Sequence, residues 1–312
     1  IEHVDNPFSN PIYENELSYC WEDQRKEDLL KKVHRIEIKA KRLSQNVFAG
    51  QYHSAFKGKG MTFSEVREYT YGDDIRNIDW NVTARNNHPY VKIFEEEREL
   101  TVVLMIDVSG STLFGSENNL KSEVITEIAA VLAFSAVNNN DKVGAILFSD
   151  KVEKYIPPKK GLSHILAVIR ELLTFKRTNS KTDFSSAFMF LSNVIKKHST
   201  CFLITDGFGK FDDSLHIAAR KHDLSCLFVN DKKEFNLSNM GLVQFTDAEN
   251  GNSLWIDTSD RQTRENFKNY RIQQQNDNMN ELTKYGIDNV QMLCGEDYIK
   301  QLVKLFAKRE RR

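Results

Sequence analysis

Residues 101–111 read TVVLMIDVSGS, an apolar run that stops at Asp107 and continues into small polar residues. Such a run is typical of a strand that is buried on both faces of a parallel sheet. Residues 200–207 repeat the arrangement, because another apolar run stops at Asp206. Ligands of open parallel sheets bind beyond the carboxyl ends of the strands, where the winding of the chain reverses. If the two strands are neighbours at that point, Asp107 and Asp206 face one crevice.

Strands and helices alternate from residue 100 to residue 312, which predicts an α/β fold of the Rossmann-like type with a mainly parallel sheet. The apolar runs 143–148 and 152–156 are separated by three residues, too few for a parallel crossover. We therefore expect a hairpin there and one antiparallel edge strand. The stretch from about 231 to 286 breaks the alternation with an Asn-Gly hairpin signal and a long polar helix, so we interpret it as an insertion.

The first hundred residues have a different character. Residues 1–24 lack periodicity, which indicates an irregular extension. Over residues 27–45, apolar positions recur at helical spacing among lysines and arginines, which predicts a basic amphipathic helix with a solvated charged face. Short alternating runs over 62–99 predict a small β-rich unit. The predicted organisation is an extension (1–24), a helical and β-rich unit (25–99) and the α/β domain (100–312) with its insertion at about 231–286.

The composition excludes several function classes. A formal net charge of −1 with 28% charged residues gives no global field that would favour nucleic acid or membrane binding. The four cysteines show no paired spacing, which predicts free thiols in a reducing compartment. The longest apolar stretch, 128–137, is far short of the roughly 20 residues that cross a bilayer, and no signal-peptide pattern opens the sequence. We expect a cytoplasmic location without membrane insertion.

The loop after the first apolar run offers hard oxygen ligands at alternate positions. Asp107, Ser109 and Ser111 supply a carboxylate and two hydroxyls, and Gly110 permits a tight loop. Thr182 opens a helix from a loop on the same side and adds a third hydroxyl. A magnesium-sized ion prefers such oxygens in an octahedron at about 2.1 Å and keeps several waters. The same string also fits a turn with capping hydroxyls, so both interpretations stay open at this point.

In order and spacing, Asp107-x-Ser109-x-Ser111, Thr182 and Asp206-Gly207 resemble the metal-ion-dependent adhesion site of von Willebrand factor A domains. The resemblance implies that residues 100–312 form a domain of that type. It implies that both serines and the threonine bind a cation directly, and that the aspartates bind it directly or through water. The cofactor would be Mg²⁺, or else Mn²⁺ or Ca²⁺. An open coordination position would accept an Asp or Glu from a partner protein.

A further set of motifs resembles the bacterial family known as domain of unknown function 58, from about residue 28 to the end of the chain. The matching residues are Gly58-Lys59-Gly60, Phe63, Glu65, Arg67-Glu68-Tyr69, Tyr71-Gly72-Asp73-Asp74, Arg76, Ile78-Asp79-Trp80, Thr83-Ala84-Arg85, Val91-Lys92 and Glu96-Glu97-Arg98. Members typically couple such a β-rich motif to an A-type domain and are encoded beside MoxR-type AAA+ ATPases. The resemblance implies an ATPase partner of the MoxR type and an adaptor or chaperone-like role toward a client protein.

The motif from Tyr71 to Arg85 holds three acidic residues, Asp73, Asp74 and Asp79. They fit a second cation site or a contact with a partner's basic groups. Because arginines are interleaved with them, we favour internal ion pairs that fix the turn. The position of the motif just before the first core strand predicts that it packs against the α/β domain.

Two other function classes fit the sequence less well. A metal-dependent phosphoryl-transfer or hydrolytic enzyme would use Asp107 as its nucleophile, but Ser109 replaces the second carboxylate of the usual D-x-D pattern. Neither Ser109 nor Ser111 lies in a G-x-S-x-G elbow, so we assign no catalytic residue. A nucleic-acid scaffold would use the basic helix 31–42 with Lys57 and Lys59, but interleaved acids interrupt a phosphate-tracking stripe. The sequence therefore predicts a non-enzymatic protein-interaction module without a nucleic-acid partner.

Overall fold

The computed structural model of the protein describes residues 30–44, 61–96, 99–113, 121–175, 181–207, 209–246 and 253–310. Several predictions from sequence lie outside these residues. They concern the extension 1–24, the start of the basic helix at 27–29, Lys57 to Gly60, and the Asn250-Gly251 turn.

The described strands and helices follow the predicted alternation closely. The strands are β1 (Met61–Glu68), β2 (Tyr90–Glu96), β3 (Thr101–Asp107), β4 (Lys142–Phe148), β5 (Val152–Lys159), β6 (Thr200–Thr205), β7 (Asp223–Asn230), β8 (Leu242–Thr246), β9 (Ser253–Asp257) and β10 (Asp288–Leu293). The helices are α1 (30–43), α2 (Trp80–Asn86), α3 (Lys121–Asn138), α4 (Leu162–Thr174), α5 (Phe184–Val194), α6 (Asp213–Lys221), α7 (Lys232–Phe235), α8 (Arg261–Lys284) and α9 (Tyr298–Glu310).

The centre of the molecule is a six-stranded sheet with the order β10-β7-β6-β3-β4-β5. All neighbouring strands are parallel except β4 and β5, which pair antiparallel across the short turn. Counted from β3 as the first strand, this is the doubly wound order 3-2-1-4-5-6, whose winding reverses between β3 and β6. The predictions of an α/β fold, a mainly parallel sheet and one antiparallel edge strand are confirmed.

Helices cover both faces of this sheet, which is why β3 is apolar without interruption. Val102, Leu104 and Ile106 belong to one core cluster, together with residues of α1, α3, α4 and α9. Val103 and Met105 belong to a second cluster on the other face, together with α5 and α6. Successive side chains of a strand point to opposite faces, so each residue of β3 is buried by one cluster or the other.

Helix α1 has the predicted amphipathic character and packs on the domain. Its residues Ile36 and Ala40 join the first core cluster. On its charged side, Lys32 Nζ lies 3.2 Å from Glu123 Oε1, and Lys39 also pairs with a glutamate of α3. The interpretation that the basic face is only solvated is therefore wrong for these two lysines, because α3 presents acidic partners to them.

The unit around β1 and β2 is less purely β-type than predicted. The two strands pair antiparallel, but the segment between them contains a 3-10 turn at Ile75–Asn77 and helix α2. Asp79 caps α2, because its carboxylate accepts hydrogen bonds from the backbone N–H groups of Asn81 and Val82. Helix α2 was not predicted from the sequence. Its start is marked by the capping residue Asp79 before Trp80, in a segment that had been interpreted as a connection between strands.

The acidic residues of the Tyr71 to Arg85 motif form ion pairs, as predicted, but only Asp74 pairs with an arginine of the motif itself, and the other two pair with basic residues of β1 and β2. Asp73 pairs with Arg67 at 2.7 Å and Asp74 with Arg76 at 3.2 Å. Asp79 lies 3.6 Å from Lys92, which is on β2. These contacts favour a structural role for the three carboxylates over a cation site.

Residues 231–286 contain the predicted hairpin of β8 with β9 and the predicted long helix, α8. The short helix α7 was not predicted. It begins at the N-cap Asp231, whose side chain accepts from Lys233 N, while the Glu234 side chain accepts from the N-cap backbone. This reciprocal capping box explains how four residues hold a helical turn.

His222 is a buried residue whose imidazole can take up a proton as the pH falls. It ends α6, is only 2% exposed, and neither ring nitrogen has a hydrogen-bond partner among the described residues. Burial, with smaller contributions from Lys221 and His198, lowers the pKa of its imidazole from 6.5 to about 4. A group that binds its proton more weakly when folded makes the protein lose stability as pH falls from the unfolded pKa toward the folded one.

We therefore expect the free energy of unfolding to fall between pH 6.5 and about 4, partly because of His222. The measurement is a series of urea denaturations at several pH values on wild type and a His222→Leu variant. The variant should show the shallower decline, since leucine carries no proton-binding site. Parallel declines in both proteins would contradict this role of His222.

Candidate metal centre

The two predicted aspartates end neighbouring strands. β3 and β6 pair in parallel at the point where the winding of the sheet reverses, and Asp107 and Asp206 follow at their carboxyl ends. Asp107 is 0% exposed and Asp206 is 1% exposed. Burial, followed by repulsion from Asp206, raises the pKa of Asp107 to about 7. The sequence prediction that both carboxylates share one crevice fits this placement.

The loop after β3 is fixed by the Asp107 carboxylate. Its Oδ1 accepts a hydrogen bond from Ser109 N at 2.9 Å, and its Oδ2 accepts one from Thr205 Oγ1 at 2.8 Å. A 3-10 turn then runs from Gly110 to Leu113. These contacts make Asp107 structurally important. Replacing Asp107 by alanine would remove these hydrogen bonds together with a candidate ligand, so a test of the site needs a second variant as well.

The two serine hydroxyls of this loop lie together. Ser109 Oγ and Ser111 Oγ are 2.9 Å apart. Two adjacent ligands of an octahedron with metal–oxygen distances of about 2.1 Å are separated by about 3.0 Å. The separation of the hydroxyls therefore suits neighbouring positions around a magnesium-sized ion.

Thr182 lies directly before α5, in a loop tied to the same end of the sheet. The backbone N–H of the following residue, Asp183, donates to Ser149 O at 2.8 Å, and Ser149 directly follows β4, the neighbour of β3. Thr182 Oγ1 is buried and has no hydrogen-bond partner among the described residues. An unsatisfied buried hydroxyl costs about 1–3 kcal/mol. A bound cation is one partner that would satisfy this oxygen.

Lys121 is a charged residue of this region that we did not predict. It is 0% exposed, and its Nζ lies 3.0 Å from Asp206 Oδ2 and also contacts the carboxylate of Glu234 on α7. Burial lowers the pKa of Lys121, but the charges of Asp206 and Glu234 outweigh it, so the net shift is upward. Burial raises the pKa of Glu234, and Lys121 opposes that effect. Lys121 therefore gives Asp206 a buried countercharge in direct contact and connects the end of β6 to α7.

The backbone after Asp206 is equally constrained. Gly207 has a φ of +80°, and a Cβ at this position would lie 2.8 Å from the ring of Phe228. Asn230 Nδ2 donates to Asp206 O at 2.8 Å, and Asn278 Nδ2 donates to Gly207 O at 2.9 Å. Only glycine fits this turn without displacing the ring, so the Asp206-Gly207 pair has a steric reason as well as a chemical one.

The donor set decides which ions fit. The described residues contain no group of three or more His, Cys, Asp or Glu side chains suited to a metal. The predicted ligands, two carboxylates and three hydroxyls, are hard oxygen donors of the kind that Mg²⁺ or Mn²⁺ prefers. They do not suit Zn²⁺, which favours nitrogen and sulfur ligands.

The chain is similar to a family of proteins and to mycobacterial relatives. The model of the family described as "Protein of unknown function DUF58" matches residues 65–277. The chain is 25% identical over 282 residues to the uncharacterized proteins Mb1516 of Mycobacterium bovis and Rv1480 of Mycobacterium tuberculosis, with 88% of each chain covered. None of the described helices is both long and apolar enough to cross a membrane.

Among solved structures, the conserved hypothetical protein BatB of Bacteroides thetaiotaomicron is 15% identical, with 68% of this chain and 100% of that chain covered and a TM-score of 0.45. The SpRpn10 VWA domain is 9% identical, with 67% and 95% covered and a TM-score of 0.37. Both TM-scores are too low to assign the fold, so the fold class rests on the strand order of the sheet.

We expect the Lys121→Met variant to lose about 3–5 kcal/mol of unfolding free energy, because the buried Asp206 and Glu234 carboxylates lose their countercharge. Urea denaturation measures the loss. The matched control is Lys154→Met, which removes an exposed lysine paired with Glu171 and should cost less than about 1 kcal/mol. Equal losses in the two variants would show that the buried pairs contribute no more than a surface pair.

Proposed function

The chain belongs to the family described as protein of unknown function DUF58, and we propose that this member is a non-enzymatic interaction module whose partner binds through a divalent cation. The observation that carries the proposal is a set of oxygen atoms at the carboxyl edge of the sheet, in the loop after β3 and in the loop that Asp183 ties to the end of β4. The Ser109 and Ser111 hydroxyls are 2.9 Å apart, and the Thr182 hydroxyl is buried without a partner among the described residues.

A turn with capping hydroxyls accounts for only part of this arrangement. It explains the hydrogen bond from Ser109 N to Asp107, which is an ordinary Asx-type contact. It gives no reason for the unsatisfied Thr182 oxygen or for the burial of Asp107 within repulsive range of Asp206. A cation held by these oxygens would give the Thr182 hydroxyl a partner and would offset the repulsion between Asp107 and Asp206.

The chemistry of the donors also explains how a partner would be recognised. Ser109, Ser111 and Thr182 are neutral ligands, with Asp107 and Asp206 contributing directly or through water. When bound, the cation would supply an open position with affinity for an anionic oxygen. Lys121 takes up part of the charge of Asp206, which leaves less negative charge to neutralise the cation. An Asp or Glu of a partner protein is the natural complement.

We extend the proposal to the partners that the motifs of residues 58–98 imply. The module would act in the cytoplasm, as an adaptor or chaperone-like partner of a MoxR-type AAA+ ATPase, and would offer the cation to a client protein. A reducing compartment suits the three described cysteines, Cys201, Cys226 and Cys294, which are free and buried.

The direct test is titration calorimetry of the purified protein with magnesium and with manganese. Wild type should show saturable binding. Asp107→Ala and Ser111→Ala should weaken it by more than about tenfold, since each removes an oxygen ligand and even outer-shell changes cost that much. Ser111→Ala is the variant less exposed to loss of folding, because the Ser111 hydroxyl has one hydrogen bond to the described residues, with Ser109.

Asp257→Ala is the matched control for this titration. Asp257 also ends a strand, and its carboxylate accepts from Ser259 N at 2.9 Å, as Asp107 does from Ser109 N. It lies on the exposed hairpin and should leave metal binding unchanged. An absence of saturable binding to folded wild type at millimolar metal would refute the cation site.

The partner is tested separately by co-purification of the protein with the MoxR-type ATPase of the same organism, with and without EDTA. We expect a chelator-sensitive complex that Ser111→Ala weakens and Asp257→Ala does not, because only Ser111 belongs to the cation site. A complex that survives both EDTA and Ser111→Ala would mean that the ATPase binds elsewhere on the chain.

A further inference from the structure

A cleft of about 270 Å³ lies between α7, α8 and β10, and its lining has a distinct chemistry. Two lysines and four side-chain amides line it, together with three apolar residues and no carboxylate. The polar members are Lys232, Asn236, Lys268, Gln275, Asn276 and Gln291. A cleft of this composition attracts anionic groups and offers both donors and acceptors of hydrogen bonds.

The two lysines leave positive charge at the cleft. Lys268 is exposed and makes no ion pair with the residues that the structure describes. Lys232 is about half exposed and lies 3.0 Å from Glu296, so its charge is partly compensated. Lys268 is therefore the stronger attractor for an incoming carboxylate.

Gln275 brings a buried amide donor without a described partner to the wall of the cleft. It lines the cleft, is only 8% exposed, and its Nε2 has no hydrogen-bond partner within the described part of the chain. A buried amide donor without a partner costs free energy. Because Nε2 is enclosed in this structure, a carbonyl or carboxylate oxygen in the cleft would satisfy it once the amide turns toward the cleft.

The cleft shares two walls with the candidate metal centre. On α7, Phe235 lines the cleft while the preceding residue, Glu234, contacts Lys121, the partner of Asp206. On α8, Gln275 lines the cleft and Asn278 donates to the carbonyl oxygen of Gly207. A ligand in the cleft therefore lies one layer of side chains from the end of β6.

We propose that this cleft binds an acidic segment of the same protein partner whose carboxylate is expected at the metal centre. The inference rests on the proposed function. Four amides match the donors and acceptors of an extended peptide backbone, Lys268 and Lys232 match acidic side chains, and the apolar residues Phe235, Ile272 and Leu293 match the aliphatic part of the segment. A small dicarboxylate would leave most of these groups without a complement.

The probe is a fluorescein-labelled peptide of Glu, Leu and Gly, compared with the same peptide carrying Gln in place of Glu. Fluorescence anisotropy at low salt should show binding of the acidic peptide and little binding of the neutral one. Lys268→Glu should weaken it by at least about fivefold, because the change removes one exposed ion pair, worth up to about that factor, and adds a repulsive charge. Gln275→Leu should weaken it as well, because it removes the buried donor.

Lys284→Glu is the matched control, since Lys284 is also an exposed lysine of α8 but lies in its last turn, outside the cleft. The proposal is overturned if Lys268→Glu has no larger effect than Lys284→Glu, or if the neutral peptide binds equally well. Displacement of the peptide by glutarate at similar concentrations would make the cleft a small-molecule site and would also overturn it.

Running each titration with magnesium and with EDTA separates this inference from the proposed function. If the cation site fails, magnesium has no effect on the peptide, while the dependence on Lys268 persists. If the cleft fails, Lys268→Glu has no effect, while any magnesium-dependent component is still lost in Ser111→Ala.

Discussion

The ion pair between Lys121 and Asp206 is fully buried at the carboxyl end of β6, where an uncompensated charge would be costly. Removing such charges from water costs several kcal/mol per ion, and the cost is recovered only where a countercharge is fixed in place. Lys121 is the first residue of α3, whose apolar body packs against the sheet. The packing of α3 therefore determines where the ammonium sits, and the ammonium allows Asp206 to be buried.

One lysine does not compensate every carboxylate near it. Lys121 contacts Asp206 and Glu234, whereas Asp107 accepts hydrogen bonds, makes no ion pair with the residues that the structure describes, and is repelled by Asp206. The doubly wound strand order makes this unavoidable, because it places the ends of β3 and β6 side by side. The side-by-side placement of the Asp107 and Asp206 carboxylates is a property of the fold and of two residues, and their mutual repulsion is the physical reason for expecting a cation there.

Local patterns were sufficient to predict most of this fold from the sequence. The continuous apolar run of β3 indicates burial on two faces, and the three-residue turn after β4 requires an antiparallel neighbour. Five candidate ligands also follow from spacing and resemblance. Lys121 was missed because its partners are 85 and 113 residues away, and no periodicity reports an ion pair across such separations. Helix α2 was missed because its start depends on one capping carboxylate, that of Asp79.

The short helix α7 gives these separate features a common mechanical element. Glu234 contacts Lys121 beside the candidate metal centre, whereas Lys232 and Phe235 of the same four-residue helix line the cleft. A cation bound to Asp206 would change the ion pair between Asp206 and Lys121, and therefore also the ion pair between Lys121 and Glu234. If that change shifts α7, occupancy of the cleft must affect the cation site by the same free energy, since coupling between two binding sites is reciprocal. A segment that fills both positions would gain from this arrangement, whereas a ligand confined to one position would not.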